Sequence, residues 1–369
     1  MSVTDSALVQ IRQLQPYSPG KPVEELEREL GIANAIKLAS NENPLGCSPR
    51  VQEVLARASA HIELYPDANA YYLKQRLAQK LGVGENQITI GNGSNDVLDL
   101  VARSFLDGNT EAVYSQYAFM IYAMVTQACG ARARIADAQG ADSKQPYGHD
   151  LSAMLALVNE KTRLVFIANP NNPTGNWLLQ SELQAFLDAL PAHIAVVIDE
   201  AYFEYVDLAE FPNALHWLSR YPNLIVTRTF SKIYGLAGLR IGYAVSSPDL
   251  CDLLNRVRQP FNGNSMALTA AKAALDDDAF VEQSRLANLQ GLQQLQRGFD
   301  ARGISYIPSV GNFLTVQFDE RSTAIYQGLL KRGVIVRPVA NYDMAGFLRI
   351  SVGTAAQIEQ LFTALDTLT

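Results

Sequence analysis

Short apolar runs alternate with longer amphipathic segments along the first two thirds of the chain, and this alternation limits the possible folds more than any other feature. The apolar runs, each predicted to be a strand, are Gln87–Ile90, Glu111–Tyr114, Arg163–Ala168, Ala195–Ile198, Asn223–Arg228 and Ile241–Val245. The predicted helices between them include Tyr71–Leu81, Asn95–Phe105, Leu151–Val158 and Gln180–Leu190. Strands that alternate with helices favour an α/β fold, in which helices cover both faces of a mainly parallel sheet.

The pattern changes after about Ser265. A long helical region is predicted first, then three strand-like segments and a closing helix, at Met266–Arg302, Phe313–Phe318, Val334–Arg337, Phe347–Ser351 and Ala355–Leu365. This arrangement predicts a second, smaller α+β domain. We therefore expect an N-terminal segment that packs with the small domain, a large domain and a small domain, at residues 1–40, 41–265 and 266–369.

The bulk composition excludes several classes of partner. The chain has 369 residues and a net charge of −7, and no long run of Lys or Arg stands out, so we expect neither nucleic acid nor an anionic membrane surface as a partner. No window of about 18 residues is continuously apolar and the N-terminus does not resemble a signal peptide, which predicts a cytoplasmic location. The three cysteines and four histidines lack metal-binding spacing, so no metal site is expected.

A lysine in an apolar, glycine-rich stretch is the first candidate for chemistry. Lys232 ends the motif Thr229–Lys232, which directly follows the predicted strand Asn223–Arg228. A lysine that is partly removed from water has a lowered pKa, so its neutral amine can attack an aldehyde and form a Schiff base. Ser231 and Arg240 flank it with a hydroxyl and a guanidinium group, which both suit a phosphate. The alternative is an ordinary surface lysine, which is the commoner setting for this residue type.

An acidic motif also follows a predicted strand, at the edge where open α/β sheets bind their ligands. Asp199 comes directly after the strand Ala195–Ile198 and needs a cationic partner if it is buried. A protonated pyridine nitrogen would provide that partner, and the carboxylate would keep the nitrogen protonated. Tyr202, three residues later, is placed to donate to an oxygen of the same ring. The alternative is that Asp199 caps the following helix.

Two turns after predicted strands complete the set of candidate motifs. Asn169–Gly175 contains two prolines and a glycine that fix a rigid turn, but a turn does not require three asparagines, and Asn172 is placed to bind a ring oxygen. Gly91–Asn95 lies between a strand and a helix, where backbone N–H groups cradle phosphate. Its G-x-G is a weak dinucleotide-binding motif, because Asp96 stands where the third glycine is required.

Together, these motifs resemble the fold type I aminotransferases of class I and II. The resemblance rests on N-P-x-x-P-T-G at residues 169–175, D-E-A-Y at residues 199–202 and S-K-x-x-G-L-x-G-x-R at residues 231–240, and it covers nearly the whole chain. It implies pyridoxal 5′-phosphate as the cofactor, a large domain with a mainly parallel seven-stranded sheet, and a smaller α+β domain. It also implies a homodimer whose active sites are shared between the subunits.

The resemblance implies roles for individual residues. Lys232 would hold the cofactor as a Schiff base and would later move a proton between Cα of the substrate and C4′ of the cofactor. Asp199 would bind the pyridine nitrogen, while Tyr202 and Asn172 would bind O3′, the hydroxyl oxygen attached to the ring and called the ring oxygen below. The other implied cofactor contacts are the phosphate ligands Ser94, Asn95, Ser231 and Arg240, the ring-stacking Tyr117, and Tyr65, which would reach the cofactor phosphate of the neighbouring subunit.

Three stretches resemble the histidinol-phosphate aminotransferases within this family, at Pro16–Pro22, Leu38–Pro44 and Val334–Ala340. This resemblance implies transamination between L-histidinol phosphate and 2-oxoglutarate, which gives imidazole-acetol phosphate and L-glutamate in histidine biosynthesis. It further implies a site in which two arginines hold either the phosphate or the carboxylates of glutamate, with a tyrosine and an asparagine nearby. These four residues are Arg337, Arg349, Tyr17 and Asn43.

Two other activities remain open. Ser115–Phe119 and Arg337–Tyr342 recur in relatives that accept aromatic amino acids, so a broad or aromatic amino-acid aminotransferase is one alternative. A threonine-phosphate decarboxylase, which is a lyase, resembles this family closely and also binds a small phosphorylated substrate. A transcription regulator with an aminotransferase-like domain is not expected, because the family pattern starts by Tyr17 and leaves no room for a preceding DNA-binding domain.

Overall fold

The computed structural model describes residues 2–368, and the elements given below are those of this range. In chain order, the strands are β1 (Ile36–Lys37), β2 (Ile88–Gly91), β3 (Glu111–Ser115), β4 (Arg132–Ala136), β5 (Thr162–Ala168), β6 (Ala195–Asp199), β7 (Leu224–Thr229), β8 (Gly242–Ser246), β9 (Tyr306–Ile307), β10 (Phe313–Gln317), β11 (Val334–Ile335), β12 (Arg337–Pro338) and β13 (Phe347–Ser351). The α-helices are α1 (Val9–Gln13), α2 (Val23–Leu30), α3 (Pro49–Ala58), α4 (Tyr71–Leu81), α5 (Ser94–Phe105), α6 (Ile121–Ala128), α7 (Leu151–Ala156), α8 (Gln180–Ala189), α9 (Pro248–Val257), α10 (Ser265–Leu275), α11 (Asp278–Asp300), α12 (Ser322–Lys331) and α13 (Ala355–Asp366).

Seven strands form the central sheet, in the order β2-β8-β7-β6-β5-β3-β4. Neighbouring strands run parallel except at β8, which is antiparallel to both β2 and β7. The prediction of a mainly parallel seven-stranded sheet is therefore confirmed. Because parallel strands share one carboxyl edge, the segments that follow β5, β6 and β7 lie side by side at that edge.

Helices cover both faces of the central sheet, as the side chains of β5 illustrate. Val165 and Ile167 belong to an apolar cluster with α4, α8 and α10, whereas Leu164 and Phe166 belong to a cluster with α5, α6 and α9. Successive side chains of a strand point to opposite faces, so each face has its own core. Burial of both faces accounts for the nearly continuous apolar runs in the sequence.

A second, antiparallel sheet has the order β12-β13-β10-β9. Its apolar side chains, such as Leu314 of β10 and Ile350 of β13, pack with α11, α12 and α13 in a separate core. This sheet and its helices form the smaller α+β unit that the sequence predicts. The unit matters for the site because β12 and β13 each carry one of the predicted substrate arginines, Arg337 and Arg349.

The N-terminal segment contacts both units. Strand β1 pairs in parallel with β11, and Leu38 joins the core of the smaller unit. Further towards the N-terminus, α1 lies against α6 of the larger unit, where Gln127 Nε2 donates to the Gln10 carbonyl at 3.1 Å. The segment thus contacts both units, and its assignment to the small domain stays a prediction.

The long helical region predicted at Met266–Arg302 divides into α10 and α11. Asp277 interrupts it, because its carboxylate accepts a hydrogen bond from the Phe280 backbone N–H at 3.2 Å and caps the start of α11. Ala270 and Leu275 of α10 pack into the apolar cluster of the central sheet. A domain boundary at residue 265 therefore stays a prediction, since the helix that follows it packs on the larger unit.

Two kinds of feature are missing from the part of the chain that the structure describes. Among residues 2–368, no helix combines the length and the apolar character needed to cross a membrane. Over the same range, no three side chains of His, Cys, Asp or Glu come together in a way that would hold a metal ion.

Candidate active site

A cavity of about 230 Å³ opens at the carboxyl ends of β5, β6 and β7, between the central sheet, the N-terminal segment and the smaller unit. All but three of the predicted site residues line it. The residues that it brings together are Tyr17, Ser94, Asn95, Asn172, Asp199, Tyr202, Ser231, Lys232, Arg240, Arg337 and Arg349. Side chains from nearly the whole length of the chain therefore meet at one place.

Asp199 is the last residue of β6 and is 4% exposed. Its two carboxylate oxygens accept hydrogen bonds from Thr227 Oγ1 at 2.9 Å and from the Tyr122 hydroxyl at 3.0 Å. Burial raises the pKa of Asp199 to about 6, against the lowering effect of these hydrogen bonds. No cation of residues 2–368 forms an ion pair with it. A buried carboxylate in this situation suits a ligand that brings its own positive charge.

Lys232 lies in the loop after β7, with its side chain lining the cavity. Its Nζ donates to the Ser40 carbonyl at 3.1 Å and lies 5.6 Å from the centre of the Tyr202 ring. Removal from water, together with the positive charge of Arg349, lowers the pKa of Lys232 to about 7. Much of this amine is therefore neutral near pH 7, and the neutral form is the one that attacks a carbonyl carbon.

The start of α5 forms an anion-binding end of the cavity. Ser94 and Asn95 are the first residues of this helix, and backbone N–H groups at a helix N-terminus bind anions. Arg240 lies opposite and donates from Nη1 to Ser231 Oγ at 3.4 Å. Gly93 stands between the helix and Arg240 at φ +85°, and a Cβ at this position would overlap the guanidinium group. Glycine is therefore required for the arginine to reach the helix start.

The three asparagines of the loop after β5 have different partners. Asn169 Oδ1 accepts a backbone N–H from the far end of the loop at 2.9 Å, and Asn171 Nδ2 donates to the Tyr117 carbonyl at 2.9 Å. Asn172 lines the cavity, and its Oδ1 accepts a hydrogen bond from Arg349 Nη1. Because its oxygen is engaged in this way, the NH₂ group of Asn172 is left as a donor towards the cavity.

Two buried arginines form the other end of the cavity. Arg337 of β12 and Arg349 of β13 are direct partners across the antiparallel ladder and are 8% and 7% exposed. Arg337 donates to the Ser18 carbonyl at 2.7 Å, and Arg349 donates to the Ala39 carbonyl at 2.8 Å. Within residues 2–368, neither forms an ion pair with a carboxylate. Like charges opposite each other destabilise a sheet, so this pair suits a bound anion.

Three predicted site residues lie outside the cavity lining. The ring of Tyr117 packs edge-on against Tyr147, with ring centres 5.7 Å apart. The amide of Asn43 is used inside the protein, because its Nδ2 donates to the Ile233 carbonyl at 2.7 Å and to Ser284 Oγ at 2.9 Å. Tyr65 is 82% exposed and is not among the residues that line this cavity. The roles assigned to these three residues remain predictions.

Some residues of the site are absent from the predicted set. Phe119 lines the cavity, whereas ring stacking was predicted two residues earlier at Tyr117. The segment between β3 and α6 contains both aromatic residues, and only the course of the turn decides which one faces inward. Tyr122, which contacts Asp199, lies one turn further on in an apolar helix that gave no functional signal. Asn41 also lines the cavity, two residues before the predicted Asn43.

The lowered pKa of Lys232 predicts chemical labelling at an unusually low pH. In the cofactor-free protein, reductive labelling of Lys232 by a small aldehyde should be half-maximal near pH 7, because only the neutral amine reacts. The rate should increase as the pH rises through this value and then level off. Peptide mass spectrometry measures the labelled fraction at each pH, with the exposed Lys161 as the reference in the same sample. A Lys232 profile that follows that of Lys161 would contradict the prediction.

Comparison with known proteins identifies the family. Residues 33–365 match the family model described as aminotransferase class I and II. The chain therefore belongs to the class I and II aminotransferases, in agreement with a cavity that is lined by Lys232, by the buried carboxylate of Asp199 and by the start of α5.

Individual proteins of this family are similar to the chain over nearly its whole length. The chain is 54% identical over 366 residues to a protein of Methylococcus capsulatus named histidinol-phosphate aminotransferase 2, with 99% of both chains covered. It is 52% identical over 357 residues to histidinol-phosphate aminotransferase 1 of Nitrosococcus oceani, covering 97% of this chain and 95% of that one. Its structure is similar to that of histidinol-phosphate aminotransferase from Sinorhizobium meliloti in complex with pyridoxal 5′-phosphate, with a TM-score of 0.89, 30% identity and 99% of both chains covered.

Proposed function

We propose that this enzyme transfers an amino group between L-histidinol phosphate and 2-oxoglutarate with pyridoxal 5′-phosphate as cofactor, giving imidazole-acetol phosphate and L-glutamate in histidine biosynthesis. The observation that carries the proposal is the pair of buried arginines, Arg337 and Arg349, in the same cavity as Lys232. Two guanidinium groups side by side suit a doubly charged phosphate. The names of the two most similar relatives cited above support the same substrate.

The residues around the cavity fit pyridoxal 5′-phosphate. Asp199 is a buried carboxylate without an ion-pair partner in the described chain, and it would pair with the protonated pyridine nitrogen. The start of α5 with Ser231 and Arg240 would hold the phosphate, and Tyr202 and Asn172 would donate to the ring oxygen. When bound, the cofactor supplies an electron sink that stabilises the negative charge developing on the substrate's Cα.

Lys232 is the general base in this proposal. Its lowered pKa leaves much of Nζ neutral near pH 7, so that this amine can take the proton from the substrate's Cα. Arg337 and Arg349 hold the anionic group of the substrate in one orientation, which presents the same carbon to the same base in every turnover. Asp199 keeps the positive charge on the ring nitrogen during the proton transfer, because its carboxylate is fixed by two hydroxyl groups.

One anion site serves two substrates in this proposal. Histidinol phosphate carries a phosphate and no carboxylate, whereas glutamate carries two carboxylates. The paired arginines offer several N–H donors in two planar groups, which can bind either arrangement of oxygens. Since both substrates use the same place, the first product has to leave before the second substrate enters, and the kinetics should be ping-pong.

Arg337→Ala should weaken the binding of histidinol phosphate more than the binding of an amino acid with a neutral side chain. The phosphate loses charge-assisted hydrogen bonds worth about 2 kcal/mol, which corresponds to roughly a 30-fold increase in KM. The neutral amino acid keeps its α-carboxylate on Arg349 and should change much less. Steady-state kinetics with both donors and the same acceptor measure the difference.

Arg332→Ala is the matched control, because this arginine is exposed at the end of α12 and lies outside the cavity lining. It should leave both KM values close to those of the unmodified enzyme. If KM rises equally for the two amino-group donors in Arg337→Ala, Arg337 does not bind the phosphate selectively.

The activity itself is tested by a half-reaction screen. The enzyme is first converted to its aminated form with L-glutamate, and the return of the absorbance spectrum is then followed with imidazole-acetol phosphate, phenylpyruvate or 4-hydroxyphenylpyruvate. We expect the fastest return with imidazole-acetol phosphate. A faster return with an aromatic 2-oxo acid would favour an aromatic aminotransferase, and release of CO₂ from threonine phosphate without consumption of glutamate would favour a lyase.

We also propose a homodimer with shared active sites. Tyr65 is 82% exposed, stacks on Phe261 with ring centres 4.7 Å apart, and lines a surface pocket with the exposed Leu64 and Tyr72. Large exposed side chains that cluster in this way favour a contact with another protein. Because Tyr65 does not line its own cavity, its predicted phosphate contact requires the neighbouring subunit. Sedimentation at micromolar concentration tests the dimer, and a monomer with full activity would contradict it.

A further inference from the structure

A buried chain of hydrogen bonds links β13 to Tyr202 through Asn41. The Asn41 backbone N–H donates to Ser351 Oγ at 2.8 Å, and Ser351 Oγ lies 2.9 Å from Asn41 Oδ1. Asn41 Nδ2 donates to the Tyr202 hydroxyl at 2.9 Å. All three residues are at most 3% exposed, so water cannot replace these bonds easily. Asn41 therefore connects the smaller unit to a residue of the cavity.

The direction of each bond in this chain is fixed by chemistry. A backbone N–H can only donate, so Ser351 Oγ is the acceptor for Asn41 N and its own proton is free for Asn41 Oδ1. The opposite amide orientation would leave the Ser351 proton without an acceptor in this chain. The NH₂ group of Asn41 must therefore face Tyr202, whose hydroxyl acts as the acceptor.

The Tyr202 hydroxyl consequently keeps its proton for another acceptor. Burial raises the pKa of Tyr202 to about 12, against the effects of Arg349 and of the Asn41 hydrogen bond, so the proton is present at neutral pH. Within residues 2–368, no other hydrogen bond of this hydroxyl is found, and Tyr202 lines the cavity. Asn172 is oriented in the same manner, because its oxygen accepts from Arg349 of the same strand β13.

We propose that Asn41 is a positioning residue that directs the proton of Tyr202 towards the ring oxygen of the bound cofactor. The inference rests on the proposed function, which places that oxygen between Tyr202 and Asn172. It also means that β13 orients both donors, one through Ser351 and Asn41 and the other through Arg349. Two fixed donors favour a negative charge on the ring oxygen, which lowers the pH at which the visible absorbance of the bound cofactor changes.

Asn41→Asp and Asn41→Gly test this proposal. Asn41 has φ +56°, a backbone conformation that Asn, Asp and Gly all tolerate, so both variants keep the local geometry. In Asn41→Asp the carboxylate can only accept, so Tyr202 donates to it and its proton leaves the ring oxygen. The midpoint pH of the absorbance change should rise by about one unit. Asn41→Gly removes the donor without adding charge and should raise the midpoint by a smaller amount.

The same Asn41→Gly change in a Tyr202→Phe background separates positioning from a purely structural role. If Asn41 acts through Tyr202, the shift seen with Asn41→Gly disappears when the hydroxyl is missing. A shift of equal size in both backgrounds, or no shift in the unmodified background, would overturn the proposal. Spectra are recorded on protein whose folded state is verified by thermal unfolding.

Asn312→Ala is the matched control. Asn312 Nδ2 donates to the Asn41 carbonyl at 2.9 Å and to the Tyr205 hydroxyl at 3.4 Å, so this variant also loosens the segment, and among residues 2–368 no hydrogen bond joins Asn312 to Tyr202. It should lower the unfolding temperature and leave the midpoint pH unchanged. A shift as large as that of Asn41→Gly would mean that the segment matters only as a structural support. The unmodified enzyme is assayed with L-glutamate in parallel, since a missing half-reaction there contradicts the proposed function and not this inference.

Discussion

Lys232→Ala should abolish both the visible absorbance of covalently bound cofactor and transamination. The variant lacks the neutral amine that the cavity creates by lowering the pKa of Lys232 to about 7. Loss of a general base costs up to roughly 10⁴-fold in rate, and this lysine is also the covalent attachment point in our proposal. Absorbance titration with pyridoxal 5′-phosphate measures the first effect, and a single-turnover reaction with L-glutamate measures the second.

Lys161→Ala is the control for this prediction. Lys161 is exposed and directly precedes β5, so it lies at the edge of the sheet opposite the cavity. Its variant should keep the spectrum and the rate of the unmodified enzyme. A Lys232→Ala protein that retains the absorbance band and the activity would refute the assignment of this lysine.

Asp199→Asn should lower kcat by roughly 10²–10³-fold, which is typical for the loss of one fixed electrostatic contact at a reacting centre. The side chain keeps its shape, and Thr227 and Tyr122 can still reach it, but it can no longer hold a positive charge on the ring nitrogen. Steady-state kinetics with L-glutamate measure the effect. Asp142→Asn, in an exposed loop, is the control and should retain full activity.

The same substitution should have a different effect on the stability of the cofactor-free protein. Folding buries Asp199 and raises its pKa from 3.8 to about 6, so the folded state binds this proton more tightly than the unfolded state does. The resulting stabilisation is complete below about pH 4 and is lost as the pH rises through about 6. Near pH 8, cofactor-free Asp199→Asn should therefore unfold at the same or a higher temperature. A clearly lower unfolding temperature would mean that Asp199 has a stabilising partner.

The central sheet is predictable because its strands are buried on both faces. The predicted strand Ala195–Ile198 differs from β6 by one residue, since every residue of β6 is buried and all but its last residue are apolar. Strand β4 is absent from the prediction, because this edge strand carries Arg132 and Arg134 and leaves Ile135 exposed. The smaller unit is harder to predict, since strands such as β9 have only two residues and depend on pairing for their existence.

The sequence by itself determined the chemistry of one half of the site. Lys232, Asp199 and Asn172 each lie at the end of a strand of the central sheet or in the loop after it, and parallel strands bring such residues to the same edge whatever the rest of the chain does. Local motifs therefore indicated the cofactor and the class of reaction. Arg337 and Arg349, in contrast, were predicted only from the resemblance to a family.

The tertiary structure alone decided how the two halves meet. The pairing of Arg337 with Arg349, the inward position of Phe119 and the contact of Asn41 with Ser351 depend on register, on turn geometry and on contacts between residues as much as 310 positions apart. Long-range contacts of this kind are set by the packing of the two units against each other, and no local pattern encodes that packing. For this reason Lys232 could be predicted from its own motif, whereas the hydrogen bond from Asn41 that orients Tyr202 could not.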